Sequence, residues 1–390
     1  MTRPKTKHSS VAKIQSSLIR RLRIGREVSR VELARHLNLA PSTVGLYVDD
    51  LIADGYLREG RKAKRASGRP PTILELNPQA GRFVGIDFEA QTLRAVAVDF
   101  SQTTLDEQKY SILASDGVDE VLAKIEQAIR EIGGKGRRLL GVGIAVPGVV
   151  DSKRGIGVLY RHIRGWHDVP LVERIAERVR GPIYLENNIR AMALAEQWFG
   201  QGRRLENFLC LGIRSGIGAG VVVDRHLLGG AHNLAGEIGG WRCRDGDTLE
   251  AEASVTAVLS RLSEQAKSGR VTSLAVKRGR VALADVLQAA RDGDALTLEA
   301  LHQAAGAVGA AIAQFSLLLN PERVIVAGPL AELGDVFLQP IREAAAEFLS
   351  PPFDAMPTIV ASQLGAYAGA IGAAALAVHQ WRPAIEAAER

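Results

Sequence analysis

The stretch from Ser29 to Arg69 limits what this chain can fold into more than any other. Ser29 followed three residues later by Glu32 is a capping box, so a helix starts there. Leu33, Ala34 and Leu37 repeat at helical spacing on one face. Asn38 to Ala40 is a short turn, and Pro41 suits the first position of a second helix, where its missing N–H costs nothing. Val44, Val48, Leu51 and Ile52 give that helix a buried stripe, and Gly55 closes it. Two short helices around a three- to four-residue turn form a helix-turn-helix, whose second helix is the one that enters a major groove. Ser42, Thr43, Gly45 and Tyr47 lie off the apolar stripe and are candidates for reaching bases or phosphates.

Beyond Gly55 the chain reads strand, basic turn, strand: Tyr56 to Gly60, then Arg61-Lys-Ala-Lys-Arg65, then Thr72 to Leu76. This is the wing of a winged helix, with Arg61, Lys62, Lys64 and Arg65 placed where a phosphate backbone would pass. Pro70 and Pro71 hold the following segment extended, which offers Arg69 to a narrow minor groove. A plain linker is the alternative for Gly68-Arg69-Pro70, and a solvated charge run beside a helical hairpin is the alternative for the whole stretch. Turn, caps, wing and charge agree on DNA binding. The charge distribution adds to this. Residues 1–75 hold 16 Lys/Arg against 7 Asp/Glu, whereas the remainder holds 33 against 36. Only the N-terminal fifth is built to meet a polyanion.

At 390 residues, with 46% hydrophobic and 24% charged residues, the chain is sized for two or three soluble domains. Two cysteines, Cys210 and Cys243, cannot form a disulfide framework and fit a reducing cytoplasm. Met1 to Ser10 is basic and polar without an apolar core, so no signal peptide is read. Leu364 to Val378, taken as the most apolar tract, is too short and Ala/Gly-rich for a bilayer, which points away from a membrane and towards a packed helix.

A helix over Val11 to Ile24 completes a three-helical core, and Asn77-Pro78 ends the first unit, giving domains at 1–76 and 77–390. In the second unit, Phe83 to Phe88 and Leu93 to Phe100 form a hairpin, and Tyr110 to Leu113 is a third strand. Then come a helix (Val118–Ile132), a strand (Leu139–Val146), a helix (Leu171–Val179), a strand (Ile183–Glu186) and a helix (Ile189–Phe199). The theme repeats. Strands at Asn207–Ile213 and Ala219–Val223 flank the glycine turn Ser215 to Gly218. Helices follow from Leu249 and across Leu283–Leu319, then a strand (Arg323–Gly328), a helix (Leu333–Leu349), a strand (Thr358–Ala361) and a final helix (Ala366–His379). Two α/β lobes with a cleft between them follow from this pattern.

With these residues in view the chain resembles the ROK family of sugar kinases and sugar-responsive regulators over nearly its full length. The resemblance rests on Gly143-Ile-Ala-Val-Pro-Gly-Val-Val-Asp151, Gly165-Trp-His-Asp-Val-Pro-Leu171, Glu186-Asn187, Gly216-Ile-Gly-Ala-Gly220 and Gly236-Glu-Ile-Gly239, with the winged helix and Gly-Arg-Pro linker before them. It implies an α/β, two-lobed actin-like body, of the sugar kinase and ribonuclease H-like class, behind an N-terminal winged helix-turn-helix.

Departures from the family pattern bear on the chemistry. Family kinases carry Asn-Asp after the Glu, and the Asp is the general base; here the pair is Asn187-Asn188, and an amide cannot take that proton. The first phosphate loop reads Asp87-Phe-Glu-Ala-Gln-Thr92, placing bulk and the acidic Glu89 where phosphates would lie. The family's zinc site would need a His at Gly240 and more cysteines than Cys243 supplies. No catalytic residue, no metal ligand and no cofactor is therefore expected. By position, the resemblance maps effector contacts onto Gly148, His162, Asn187, Asn188, Glu237 and Glu250. Amides and carboxylates in a cleft suit vicinal hydroxyls. Helix capping by the Asn pair, Asn188 in particular, and helix-terminal charge for the two Glu residues are the alternatives.

The expectation is a cytoplasmic transcriptional regulator, a repressor of sugar-related genes. It would bind an operator in duplex DNA as a homodimer or tetramer and respond to a sugar or sugar derivative. A sugar kinase with an attached DNA-binding unit and a regulator switched by a partner protein are the competing readings.

Overall fold

The computed structural model describes residues 5–24, 28–62, 71–89, 91–134, 136–243, 246–276, 279–349 and 356–383. The N-terminal unit runs α1 (Lys5–Ile24), β1 (Val28–Ser29), α2 (Arg30–Leu37), α3 (Pro41–Ala53), β2 (Leu57–Lys62) and β3 (Thr72–Leu76). The capping box is present: the Ser29 N–H donates to Glu32 Oε2 at 2.7 Å, and the Glu32 N–H donates to Ser29 Oγ at 3.4 Å. Asn38 ends α2 in the left-handed conformation, and Pro41 opens α3. Arg30 fixes the angle between the two helices, reaching Asp49 of α3 at 2.6 Å and Glu59 of β2 at 3.1 Å. The wing has a third strand that the sequence pattern did not signal. The two-residue β1 pairs with β3, giving the order β1-β3-β2.

The first lobe consists of β4 (Arg82–Phe88), β5 (Thr92–Asp99), β6 (Thr104–Ser111), α4 (Val118–Gly133), β7 (Leu139–Val146), β8 (Val149–Asp151), β9 (Ile156–Leu159), β10 (His167–Val169), α5 (Leu171–Ala176) and β11 (Ile183–Asn187). Its main sheet has the order β11-β7-β4-β5-β6. The third strand lies earlier than Tyr110–Leu113 because its half-exposed pairing face reads as polar. The second lobe consists of α6 (Asn188–Phe199), β12 (Phe208–Ile213), β13 (Ile217–Val223), β14 (His226–Leu227), α7 (Leu249–Ala253), α8 (Val255–Lys267), α9 (Leu283–Arg291), α10 (Ala295–Leu319), β15 (Arg323–Ala327), α11 (Asp335–Phe348) and β16 (Thr358–Ala361), after which α12 (Ala368–Gln380) returns to pack on the first lobe's sheet and on α6. Its sheet order, β14-β13-β12-β15-β16, repeats the first. In both, an antiparallel meander shares its first strand with parallel neighbours.

The long apolar helix is α10, not the tract at Leu364–Val378. Its 25 residues would be long and apolar enough to cross a membrane, yet Leu301, Ala304, Val308 and Ile312 are buried in the second lobe's core. The Ala/Gly-rich α12 is what makes the molecule cohere. It lies so close to β4, β7 and α6 that a Cβ at Gly143 would collide with the Ala373 carbonyl and one at Gly372 with the Ala191 carbonyl. Only glycine permits that approach.

The chain boundary at 76/77 is not a boundary in the core. One apolar cluster joins Leu18, Leu22, Leu33, Val44 and Leu51 of the winged helix to Phe83, Val96, Phe100 and Leu140 of the first lobe and to Ala374, Val378 and Trp381. Trp381, just past α12, is 7% exposed. Its ring lies 4.9 Å from that of Tyr56, 5.1 Å from Phe100 and 6.3 Å from Phe83.

Candidate effector cleft and DNA-binding face

The cleft site grows from the junction of β11 and α6. Asn187 is the N-cap of α6: its Oδ1 accepts the N–H groups of Ile189 and Arg190 at 2.9 and 3.2 Å. Capping therefore falls to Asn187 rather than Asn188, because Asn187 keeps extended backbone while Asn188 is already helical. With Oδ1 so engaged, Asn187 Nδ2 is held across the cleft, 2.9 Å from the Gly148 carbonyl and 3.5 Å from Glu237 Oε1. Gly148 sits at φ +73°, and a Cβ there would meet the Leu159 carbonyl, so the β7–β8 turn requires glycine. Asn188 is 5% exposed beside them at the start of α6. Glu237 is exposed at the cleft wall, and partial desolvation there raises its carboxyl above the ordinary range, with Arg190 pulling against this and Glu250 adding to it.

The remaining two mapped residues behave differently. Glu250 Oε2 accepts the Ile217 N–H at 3.1 Å, steadying the glycine turn. His162 is exposed and tilts over Tyr160 at 5.3 Å. It lines a separate, larger cavity of about 840 Å³ whose wall also includes Asp87, Glu89 and Arg214. That cavity does not touch Asn187, Asn188 or Glu237, so its size is no guide to the polar cluster. Sequence reasoning missed Arg190, which is fully buried, donates to Glu186 Oε1 at 2.8 Å and holds the Asn233 carbonyl. An Arg four residues after a Glu across a strand–helix junction was the available signal.

Arg214 was also missed. It crosses from the β12–β13 turn to the first lobe, donating to Asp87 Oδ1 and Oδ2 at 3.1 and 2.9 Å and pairing with Glu89 Oε1 at 2.7 Å. Burial opposes its charge, but Asp87 and Glu89 outweigh that and hold its pKa above the usual value. Glu89 is pushed up by burial, with Arg214 opposing. One guanidinium thus serves a buried carboxylate and a half-buried one. The expectation that Phe88 adds bulk to a phosphate loop is corrected. Phe88 is wholly buried, its ring 5.1 Å from Trp166 in the first lobe's core, because side chains alternate along β4 and Asp87 and Glu89 take the cleft side. Ala90 lies outside the described residues.

In the segment that would carry a metal, Cys243 is half-buried and its N–H donates to the Asp247 carbonyl at 2.7 Å. Among the described residues there is no group of three or more His, Cys, Asp or Glu side chains placed to hold a metal ion.

On the N-terminal unit, Ser42 is exposed and Thr43 and Gly45 are half-exposed along α3. Tyr47 is shared with the core, packing partly against it. Leu46, which the polar reading passed over, is 60% exposed. Arg61 and Lys62 are exposed at the end of β2. Lys64, Arg65 and Arg69 lie outside the described residues.

Comparison with known proteins places this geometry. The chain is 28% identical over 332 residues to a xylose repressor of Caldicellulosiruptor bescii, covering 81% of this chain and 83% of the relative. It is 32% identical to a glucokinase of Thermotoga maritima, covering 76% of this chain and 96% of the enzyme. A crystal structure of a ROK family transcriptional regulator, a homolog of the E. coli MLC protein, superposes with a TM-score of 0.79 at 26% identity, covering 94% and 97% of the two chains. The ROK family model matches residues 83–380, most of the body, and the chain belongs to the ROK family.

Proposed function

We propose that this protein is a DNA-binding transcriptional repressor of sugar-related genes, whose kinase-like cleft senses a sugar or sugar derivative without phosphorylating it. The observation that carries this reading is the course of α12. Its first turn lies against the larger cavity between the lobes, where a Cβ at Gly369 would collide with the Asp87 carboxylate. Its far end delivers Trp381 onto Tyr56 of the winged helix. A ligand that changes how the lobes close on α12 can therefore change how the winged helix is seated. Allostery requires such an element, with two arrangements that both sites bias. Similarity to the regulator extends over the winged helix, whereas similarity to the glucokinase covers 76% of the chain.

On this reading Asn187, Asn188 and Glu237 contact the effector's hydroxyls. Asn188 stands where a kinase needs a carboxylate base, and an amide does not accept the proton. Arg214, Asp87 and Glu89 neutralise one another beside the cleft, so the guanidinium nearest the first loop is already engaged by carboxylates. ATP and zinc have no part in this reading. Ser42, Thr43 and Leu46 face the major groove, Leu46 suiting a thymine methyl. Arg61 and Lys62 follow the phosphates. Two copies would read a palindrome with half-sites about 10 bp apart or a multiple of that.

The test uses duplexes selected by the full chain and a sugar panel screened by thermal shift, since a ligand that binds the native state raises its stability. Glu237→Gln should weaken the effector response at least tenfold and leave effector-free operator affinity near normal. Loss of operator binding itself would make Glu237 structural, and an unaltered response would move the signal to another site or a partner protein. ATP-dependent sugar phosphorylation above the Glu237→Gln background would favour the kinase reading.

A further inference from the structure

A second cavity, about 320 Å³, opens where α1 meets the end of α12, far along the chain from the cleft residues. Its wall includes Lys13, Arg20, Arg23, His379 and Arg382, and no described carboxylate. Lys13, Arg20 and Arg382 are exposed at the rim. Arg23 is the inner cation. Its guanidinium stacks over Phe100 at 5.1 Å, and its Nη1 donates to the Val378 carbonyl at 2.6 Å. Its Nε and Nη2 are buried and have no acceptor among the described residues. These two nitrogens form the side-on edge of the guanidinium, the edge whose parallel N–H groups grip an oxyanion in two places. Leaving both unmade is costly, and crowding like charges around them adds to the cost.

Cations at helix C-termini are ordinary, since they answer the carbonyl end of the helix. Here that role uses Arg23 Nη1 and Arg382 Nη1, which donate to the Val378, His379 and Trp381 carbonyls. It does not account for the free edge of Arg23, or for Lys13 and Arg20. His379 reports the same field: burial first, then Arg23, Arg20 and Arg382, hold its imidazole neutral, and its Nε2 is buried with no hydrogen-bond partner among the described residues.

We propose that this cavity is an anion site for a phosphoryl group, free or carried by a small metabolite, bound by the side-on edge of Arg23 and enclosed by Lys13, Arg20 and Arg382. The bound anion bridges the first helix of the DNA-binding unit and the last helix of the body, beside Trp381. It is therefore a second control point, separate from the sugar cleft and independent of the reading given to that cleft.

Inorganic phosphate is titrated into the full chain at constant ionic strength, with chloride as the reference anion, and followed by phosphorus NMR line broadening and calorimetry. Saturable binding of about one phosphate per chain is expected, weakened at least tenfold in Arg23→Gln and unaltered in Glu237→Gln. If Arg23→Gln fails to fold, the double variant Lys13→Ala/Arg20→Ala removes only exposed side chains and should show the same loss. Glycerol phosphate binding more tightly than inorganic phosphate would place the phosphoryl group on a metabolite; the reverse order would favour the free anion. Non-saturable binding, or equal binding by the variants, would overturn the site. So would absence of phosphate binding together with weaker operator affinity in Lys13→Ala/Arg20→Ala, which would assign these cations to the DNA backbone.

Discussion

Replacing Trp381 with Ala should separate the winged helix from the body. The indole is 7% exposed and ringed by Tyr56, Phe83 and Phe100. An aromatic side chain buries roughly 200 Å², which at about 25 cal/mol per Å² is ~5 kcal/mol. A partly collapsed unfolded chain lowers that figure, and measured Trp-to-Ala losses of ~3–5 kcal/mol agree with it. The loss should not be spread evenly. Tyr56 is the ring that Trp381 meets across the unit boundary, so the winged helix loses part of its seat while each lobe keeps its own cluster. Scanning calorimetry of the full chain should show one main transition resolve into two, the earlier one belonging to residues 5–76. Combining Trp381→Ala with Tyr56→Ala should reveal a coupling of ~0.5–1.5 kcal/mol beyond the sum of the single changes. Operator binding without effector should survive, and the effector-induced change should vanish. A loss below ~1 kcal/mol together with an intact effector response would refute the claim that α12 couples the two units through this ring.

Changing both Arg61 and Lys62 to Gln should lower the magnitude of the salt slope of operator binding by up to ~2, since each phosphate contact contributes about 0.9; an unchanged slope would remove these residues from the interface. Arg214→Ala leaves the buried Asp87 and the half-buried Glu89 without their cation and should cost ~3–5 kcal/mol in urea denaturation, whereas a cost under ~1 kcal/mol would mean the carboxylates simply take up protons. Burial, then Arg23, Arg20 and Arg382, depress the pKa of His379 to about 3, and the unfolded chain returns it to about 6.5. Its neutral form therefore contributes stability that is complete above about pH 6.5 and lost as pH falls towards 3, by up to ~5 kcal/mol. His379→Gln should flatten that window when unfolding is followed in chloride buffer at pH 7 and pH 4.5, and an equal acid loss in the variant would place the titrating group elsewhere.

The winged helix was legible because its signals are local. A capping box, a Pro at the first helical position, a short turn from Asn38 to Ala40 and an apolar period of about 3.6 act within a few residues of one another. Tertiary packing had only to accept what they specified. The lobes were legible for a related reason: runs such as Leu139 to Val146 and Arg323 to Gly328 are apolar on both faces, which only a covered sheet tolerates. The cleft was half legible. Gly148, Asn187 and Glu237 came from a motif resemblance, and the structure brings those three together. It also gives the cap to Asn187, and it turns Glu250 towards a backbone N–H and His162 towards another cavity. Those outcomes depend on which lone pair meets which N–H, and linear order does not set that.

What the tertiary structure alone decided is long-range. Arg214 meets Asp87 and Glu89 across more than 120 positions of chain, and Arg23 meets Val378 across 355. No periodicity carries such pairings, because they follow from where two separately folded lobes and a returning C-terminal helix come to rest. The same holds for the boundary at residue 76. Sequence places a break there, since Asn77-Pro78 ends one pattern and Arg82 begins another. Packing then closes the break, because Trp381 arrives from the far end of the chain to fill the gap between Tyr56 and Phe100. Local sequence determined the two machines, and only the fold determined that they share a core.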